Sequence, residues 1–204
     1  MKLTSALPLI LCLLPSSLSS FQANPSAIAA AKCMGSIMAP VHLELYSDFQ
    51  CPNCKMLHDQ IIPQLLQEYV GTGKVYLVAH EFPLSMHAHS REAANYATAA
   101  AQVGKYQAVA DALFRDQAAW SVTGKVWDTV ATALTPAEQK KVQTLVKDPA
   151  VLAAVQKDVD MANANRIMQT PTMIVKAGNK SYPIGGTVAY SILKSFLDDR
   201  LKGK

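Results

Sequence analysis

Two cysteines separated by two residues carry the clearest chemical signal in this sequence. They bound the segment Cys51-Pro52-Asn53-Cys54, which joins a predicted strand and loop to a predicted helix. At the first turn of a helix, unpaired backbone N–H groups and the positive end of the helix dipole lower the pKa of a thiol such as Cys51. Cys54 lies one turn deeper, where its thiol can attack a mixed disulfide formed by Cys51. The pattern therefore predicts a centre for thiol–disulfide exchange.

The same two cysteines allow two other interpretations. A zinc site would need further ligands, and the sequence has no second C-x-x-C segment. The residues that are candidates to complete a metal site are the histidines His58, His80, His87 and His89. A purely structural disulfide is less favoured, because a bridge across one helical turn closes a short loop and adds little stability.

A proline near the end of the chain is the second feature of interest. The segment Thr170-Pro171-Thr172 stands directly before a predicted strand. A proline that enters a central strand offers no N–H to the ladder and is awkward unless its peptide bond has a special conformation, such as cis. Only ~5–6% of X–Pro bonds are cis in folded proteins, so the residues alone leave the conformation of Pro171 open.

The order of hydrophobic patterns indicates how these segments are brought together. Strands are identified by alternating apolar residues and helices by apolar residues at helical spacing. The strands at the two ends are too short to stand alone, so they should share one sheet with helices on both faces. Pro63 should kink the first long helix, because it lacks the N–H for one backbone bond. The predicted elements are a strand over 41–46, a helix over 51–70, a strand over 74–82, helices over 85–167, strands over 172–175 and 181–184, and a helix over 188–201.

The composition fits a globular protein with a mild positive charge. The 204 residues are 50% hydrophobic and 17% charged, which is enough apolar material for a proper core. The net charge of +4 is spread without runs of like charge. No surface for nucleic acid or for an anionic membrane is therefore predicted.

The first residues have the pattern of a secretory signal peptide over 1–19. A basic start at Lys2 is followed by an apolar run and then by small residues up to Ser20. The run is too short to span a bilayer, which takes ~20 apolar residues, and an uncleaved anchor is the alternative. Cleavage after Ser19 would leave residues 20–34 as a linker or short helix, in a periplasmic or otherwise extracytoplasmic protein.

Removal of the signal peptide takes Cys12 away and leaves three cysteines, an odd number. Export implies an oxidising compartment, where Cys51 and Cys54 would persist as a disulfide unless something reduced them. Cys33 is then a free thiol, a link to another chain or an exchange partner.

Four segments occur in order along the chain: Gly35-Ser36 with Ala39-Pro40-Val41, Tyr46 to Cys54, Glu81-Phe82-Pro83-Leu84 with His87-Ala88-His89, and Gln169-Thr170-Pro171-Thr172. Together they resemble DsbA-type thioredoxins, and the resemblance covers roughly residues 35–201. It implies a thioredoxin-like α/β fold over 35–204, a central mixed sheet flanked by helices. An all-helical subdomain is expected as an insertion at about 85–167.

The resemblance also implies a role for each residue of the candidate site. Cys51 is expected to be the exposed nucleophile and Cys54 the buried resolving thiol, with Pro171 in the cis conformation beside them. The Pro52-Asn53 dipeptide and the neighbouring Thr170 are expected to tune the stability of the Cys51 thiolate. The backbone of Thr170 would also pair with a bound substrate strand, a form of strand addition.

One position departs from the family's pattern. Many members carry an acid on the first strand, six residues before the nucleophilic cysteine, where it lies under the active site. Here that position is Leu45, and Glu44 lies one residue away. Because side chains alternate along a strand, Glu44 is expected on the opposite face, which leaves the proton-relay role of that acid unfilled.

These observations predict an exported DsbA-like oxidoreductase that donates disulfides to cysteine-containing polypeptides. No cofactor or metal is expected, and the chain is expected to be a monomer because it has no obvious dimerisation domain. By analogy with the family, a membrane partner of the DsbB or VKOR type would reoxidise the cysteines. Two alternatives stay open: an isomerase or reductase of the same fold, and a metal-binding protein that uses Cys51, Cys54 and a histidine.

Overall fold

The computed structural model describes residues 24–203 and arranges them around one five-stranded mixed sheet. The spatial order of the strands is β1-β3-β2-β4-β5, in which β2 and β3 are parallel and every other neighbouring pair is antiparallel. The predicted α/β fold of thioredoxin type is confirmed. The strands are β1 Cys33–Met34, β2 Val41–Ser47, β3 Val75–Glu81, β4 Thr172–Ala177 and β5 Lys180–Gly185.

Helices cover the sheet, and most of them lie between β3 and β4, where the sequence predicts the helical insertion. None of the helices within 24–203 has both the length and the apolar character that crossing a membrane requires. The helices are α1 Pro25–Ala31, α2 Pro52–Gln60, α3 Ile62–Leu65 followed by a π-helical turn Leu66–Val70, α4 Ser90–Ala101, α5 Tyr106–Arg115, α6 Gln117–Thr123, α7 Val126–Thr132, α8 Pro136–Leu145, α9 Pro149–Ala164 and α10 Tyr190–Leu201.

The alternation of side chains along β2 divides the core between the two faces of the sheet. Leu43 and Leu45 join a buried cluster with residues of α2, α3 and α10. Tyr46 points to the other face and packs with Ala162 of α9. A further cluster fills the space among the insertion helices, and Cys51 and Cys54 belong to it. The two cysteines therefore lie where the sheet domain meets the insertion.

The long helix predicted over 51–70 is interrupted rather than simply kinked. Helix α2 ends at Gln60, and Ile61 has the distorted dihedrals φ −108 and ψ −49 before α3 begins. Pro63 lies in the first turn of α3, where its missing N–H does no harm. The helix predicted over 51–70 is thus divided near this proline into separate helical segments.

The sequence predicts a linker or a short helix over 20–34, and the part of this range that the structure describes contains the short helix α1 and, in addition, strand β1. Asn24 caps α1 by accepting hydrogen bonds from the backbone of Ser26 and Ala27, and Ile28 is buried. Strand β1 then pairs with β3. The signal that favours the helix is an N-cap asparagine followed by proline, a frequent helix start. The predicted signal peptide over 1–19 lies outside the described residues.

Candidate active site

Cys51 and Cys54 occupy the first turn of α2, as the sequence predicts. Cys51 is the N-cap residue, with extended dihedrals of φ −76 and ψ 122, and Pro52 follows it at the first helical position. No side chain caps this helix end, so its backbone N–H groups are available to the sulfur of Cys51. Both cysteines are thiols in this structure.

The Thr170–Pro171 peptide bond is cis and lies against Cys51. The Sγ atom of Cys51 is 3.4 Å from the carbonyl oxygen of Thr170, although 119 residues separate them in sequence. Contact with this loop helps to explain why Cys51 is only 6% exposed, whereas the resemblance implied an exposed nucleophile. Cys54 is 1% exposed, in keeping with its expected buried position.

The two thiols differ strongly in acidity. The neighbouring Cys54 thiol lowers the pKa of Cys51, burial raises it, and the Thr170 side chain together with backbone N–H groups lowers it further, to about 5. Burial and the adjacent Cys51 raise the pKa of Cys54 far above its ordinary value. At neutral pH the reduced pair therefore consists of a Cys51 thiolate and a neutral Cys54 thiol. One sulfur is a good nucleophile and leaving group, and the other holds its proton.

A buried aspartate fixes the loop that leads to the cysteines. Asp48 is 1% exposed, and its backbone N–H lies 3.4 Å from the sulfur of Cys54. Neither Asp48 nor Gln50 caps α2; the Asp48 carboxylate joins this loop to the segment after β3 instead. It accepts hydrogen bonds from four donors, which are the N–H groups of Gln50 and Leu84, Nδ1 of His87 and the hydroxyl of Ser90.

The helical insertion holds the same loop from the other side. The side-chain amide of Gln117, on α6, donates to the carbonyl oxygens of Phe49 at 2.6 Å and Cys51 at 3.0 Å. Gln50 donates in turn to the carbonyl oxygen of Ser121 at 3.3 Å. Sequence reasoning missed this role of Gln117, because no local pattern relates residues that are 66 or more positions apart.

Three of the four histidines considered as metal ligands have side chains that lie in other networks. His58 stacks on Phe114 with 4.6 Å between ring centroids, and its Nε2 is 2.9 Å from Asp111. His80 bonds to Asp158, and His87 to the buried aspartate described above. Between residues 24 and 203 no group of three or more histidine, cysteine or acidic side chains is arranged to hold a metal ion.

Glu44 takes the opposite face from Leu45, as strand alternation predicts. It forms an ion pair with Lys176 on β4. A buried acid nevertheless lies on the face of Leu45, because Glu81 of β3 lines the same small cavity of about 50 Å³. Burial raises the pKa of Glu81 to about 7, even though the charge of Lys32 and a hydrogen bond from the Tyr106 hydroxyl oppose the shift. Sequence reasoning missed this acid, which comes from a neighbouring strand.

A family model described as thioredoxin matches residues 29–199, almost the whole described chain. The chain belongs to the thioredoxin family. Its helical insertion and its C-x-x-C segment agree with the predicted DsbA-like type. This match begins within α1, which supports including the N-terminal helix in the domain.

Curated relatives and similar solved structures agree with that placement. A Rickettsia bellii protein named as a protein-disulfide oxidoreductase is 28% identical over 149 residues; the match covers 70% of this chain, which spans about half of that protein's length, 52%. Disulfide bond formation protein D of Bacillus subtilis is 23% identical, over 87% of this chain and 80% of that protein. The crystal structure of Wolbachia pipientis α-DsbA1 superposes with a TM-score of 0.70 at 20% identity, over 84% of this chain and 91% of the other, which shows the shared fold.

Proposed function

We propose that Cys51 and Cys54 are the redox pair through which this thiol–disulfide oxidoreductase donates disulfides to cysteine-containing polypeptides. The observation that carries the proposal is the difference between the two thiols at one helix terminus. The pKa of Cys51 is lowered to about 5, and that of Cys54 is raised. A stabilised thiolate favours the reduced pair and so makes the disulfide form a strong oxidant.

Donation follows from this difference in two exchange steps. A substrate thiolate attacks the Cys51 sulfur of the Cys51–Cys54 disulfide, a mixed disulfide forms, and Cys54 leaves and takes up a proton. A second substrate thiolate then attacks the substrate sulfur of the mixed disulfide. The substrate disulfide forms, and Cys51 leaves as its stabilised thiolate. Electrons pass from the substrate dithiol to the cysteine pair, and no cofactor enters either step.

Thr170 and Pro171 are proposed to align the substrate backbone with Cys51. The Thr170 carbonyl oxygen already lies 3.4 Å from the sulfur of Cys51. An extended substrate segment that pairs with the backbone at Thr170 would bring its own cysteine next to this sulfur. Pro52 and Asn53 are proposed to tune the thiolate, and the backbone N–H of Asn53 contributes to the lowered pKa of Cys51.

The enzyme is further proposed to be an exported monomer that depends on a partner to reoxidise its cysteines. The signal-peptide pattern over 1–19 supports a periplasmic or otherwise extracytoplasmic location. Donation consumes the disulfide of the enzyme at each turnover, so an oxidant must restore it. A quinone-linked membrane protein of the DsbB or VKOR type is the proposed source, by analogy with the family.

Trapping of the mixed disulfide tests the assignment of the two roles. The Cys54→Ser variant should form a stable adduct with a peptide whose cysteine is glutathionylated, because the resolving thiol is missing. The wild-type protein should release that adduct and form the Cys51–Cys54 disulfide. Mass spectrometry locates the adduct, and Cys51→Ser, which keeps Cys33 and Cys54, serves as the control. Equal adduct formation in the control would contradict the assignment.

A further inference from the structure

A second cavity lies away from the cysteines, beneath α1 and α9. It has a volume of about 340 Å³, at the lower end of the ~300–1,000 Å³ range that is typical of pockets for small molecules. Its walls come from α1, from α9 and from β3 with the adjoining β1. Neither Cys51 nor Cys54 lines it. The redox chemistry therefore leaves this cavity unexplained.

Most of the lining is apolar and built from small side chains. Helix α1 contributes Ile28 and Ala29, and strand β3 contributes Val78 and Ala79. Helix α9 contributes Met161 and three alanines. Such walls fit an apolar body closely, and they offer a ligand few hydrogen bonds, so any polar group in the cavity decides which ligand is accepted.

One polar atom in this lining stands out. His80, on β3, lines the cavity and is only 8% exposed, and its Nε2 atom has no hydrogen-bond partner within residues 24–203. The ring is held in place on its other sides. Tyr46 stacks on it with 4.6 Å between the ring centroids, and Nδ1 lies 2.9 Å from a carboxylate oxygen of Asp158. A buried nitrogen without a partner is costly, so its presence in a cavity wall points to a ligand.

The partner of Nδ1 fixes what Nε2 can do. Burial raises the pKa of Asp158, but the hydrogen bond from His80 and the charge of Lys32 outweigh burial and hold it below the usual value. Lys32 forms an ion pair with this carboxylate, and the backbone N–H of Glu81 donates to it at 3.0 Å. An ionised carboxylate only accepts hydrogen bonds, so Nδ1 carries the hydrogen. In the neutral ring, Nε2 is then an acceptor.

We propose that this cavity is a binding site for a small neutral molecule with an apolar body and one hydroxyl group, which donates a hydrogen bond to Nε2 of His80. The hydroxyl, of an alcohol or a phenol, supplies the missing partner, and the small apolar walls hold the body. Of the two lysines in the lining, Lys32 is paired with Asp158 and Lys157 is exposed to solvent, so the cavity does not present a buried unpaired cation to attract an acidic ligand. This site does not depend on the exchange reaction proposed above.

Two probes of similar shape test the hydrogen bond. Para-propylphenol should bind to the intact protein at one saturable site. The titration is monitored by the NMR chemical shifts of backbone amides in α1 and α9. Propylbenzene, which lacks the hydroxyl, should bind about tenfold more weakly. The ¹⁵N resonance of Nε2 in His80 should move upfield with the phenol only. Equal affinity for the two probes, or no saturable binding of the phenol, would overturn the proposal.

A matched pair of variants tests the location. Ala29 and Ala27 are both exposed residues of α1, but only Ala29 lines the cavity. Ala29→Leu should fill the space and weaken binding of para-propylphenol at least tenfold, whereas Ala27→Leu should leave it unchanged. Both variants should retain thiol–disulfide exchange, so failure of this proposal can be told apart from failure of the proposed function. Unchanged binding in Ala29→Leu would place the phenol elsewhere and overturn the proposal.

Discussion

The fold stabilises two buried anions in different ways, the thiolate of Cys51 and the carboxylate of Asp158. Neutral groups surround Cys51: the Cys54 thiol, the Thr170 side chain and backbone N–H groups. Asp158 is instead held by the Lys32 cation, by His80 and by a backbone N–H. Neutral donors lower the pKa of a sulfur without tying it to a fixed counterion. The first arrangement suits the covalent exchange proposed for Cys51, and the second holds the His80 ring in place.

Removal of the Lys32 cation should have the largest effect on stability. Lys32→Met leaves the buried Asp158 carboxylate without its ion-pair partner, which costs about 3–5 kcal/mol of unfolding free energy. Urea unfolding measures the change. Lys157→Met, at an exposed position on α9, is the control and should change stability by less than about 0.5 kcal/mol. A loss below about 1 kcal/mol in Lys32→Met would show that this carboxylate does not depend on its cation.

Glu81→Gln should change how stability depends on pH. The folded-state pKa of Glu81 is raised from 4.5 to about 7, so the folded protein favours the protonated acid. The contribution of the protonated acid to the free energy of unfolding is fully present below pH ~4.5 and is lost as the pH rises through about 7. Between these pH values the unfolding free energy of the wild type should fall by about 3 kcal/mol more than that of Glu81→Gln, which cannot ionise. Unfolding curves measured across this range check the difference, and parallel profiles for the two proteins would contradict it.

Loss of the hydrogen bonds that Gln117 of the insertion donates to the loop at Cys51 should have a smaller effect on stability, confined to the region of the two cysteines. Gln117→Leu removes the donor to the carbonyl oxygens of Phe49 and Cys51. The Cys51 oxygen still accepts from the N–H of Lys55, but the buried Phe49 residue loses this hydrogen bond, which costs about 1–3 kcal/mol. The pKa of Cys51 should also change, because the loop that carries it is less fixed. Gln107→Leu is a matched control, since Gln107 is a half-buried residue bonded to Asp111. The prediction is wrong if the two leucine variants unfold alike.

The smallest effect is expected at the loop beside the nucleophile. Thr170→Val keeps the shape of the side chain and removes its hydroxyl, one of the neutral groups that lower the pKa of Cys51. The pKa of Cys51 should rise by about one unit or less, as measured by the ultraviolet absorbance of the thiolate during a pH titration. Glutathione exchange should slow slightly at low pH. A fall in the pKa would mean that the hydroxyl does not favour the thiolate.

The local part of the redox site was predictable from sequence, and its long-range part was not. The C-x-x-C spacing and the adjoining helix start place Cys51 and Cys54, because both signals lie within one turn. The contacts of Gln117 and the cavity at His80 join residues that are tens of positions apart. Their side chains carry no periodic pattern that marks them, since one buried glutamine or histidine fits an ordinary core equally well.

The limits of the elements were predicted less well than their order. The strands and the insertion follow from hydrophobic periodicity, and the structure has them in the expected sequence. For residues 20–34 the sequence left the choice between a linker and a short helix open, because their alanines give no amphipathic pattern. Only pairing with β3 and burial of Ile28 make α1 and β1 part of the domain. Such tertiary contacts override weak local signals.

The reduction potential of the Cys51–Cys54 pair, measured by equilibration with glutathione and trapping of free thiols, tests the central claim most directly. The lowered pKa of Cys51 predicts a value near or above ~−150 mV, at the oxidising end of the known range, because the reduced pair is stabilised. A value near ~−270 mV, the thioredoxin end, would contradict the account and assign the chain to reduction.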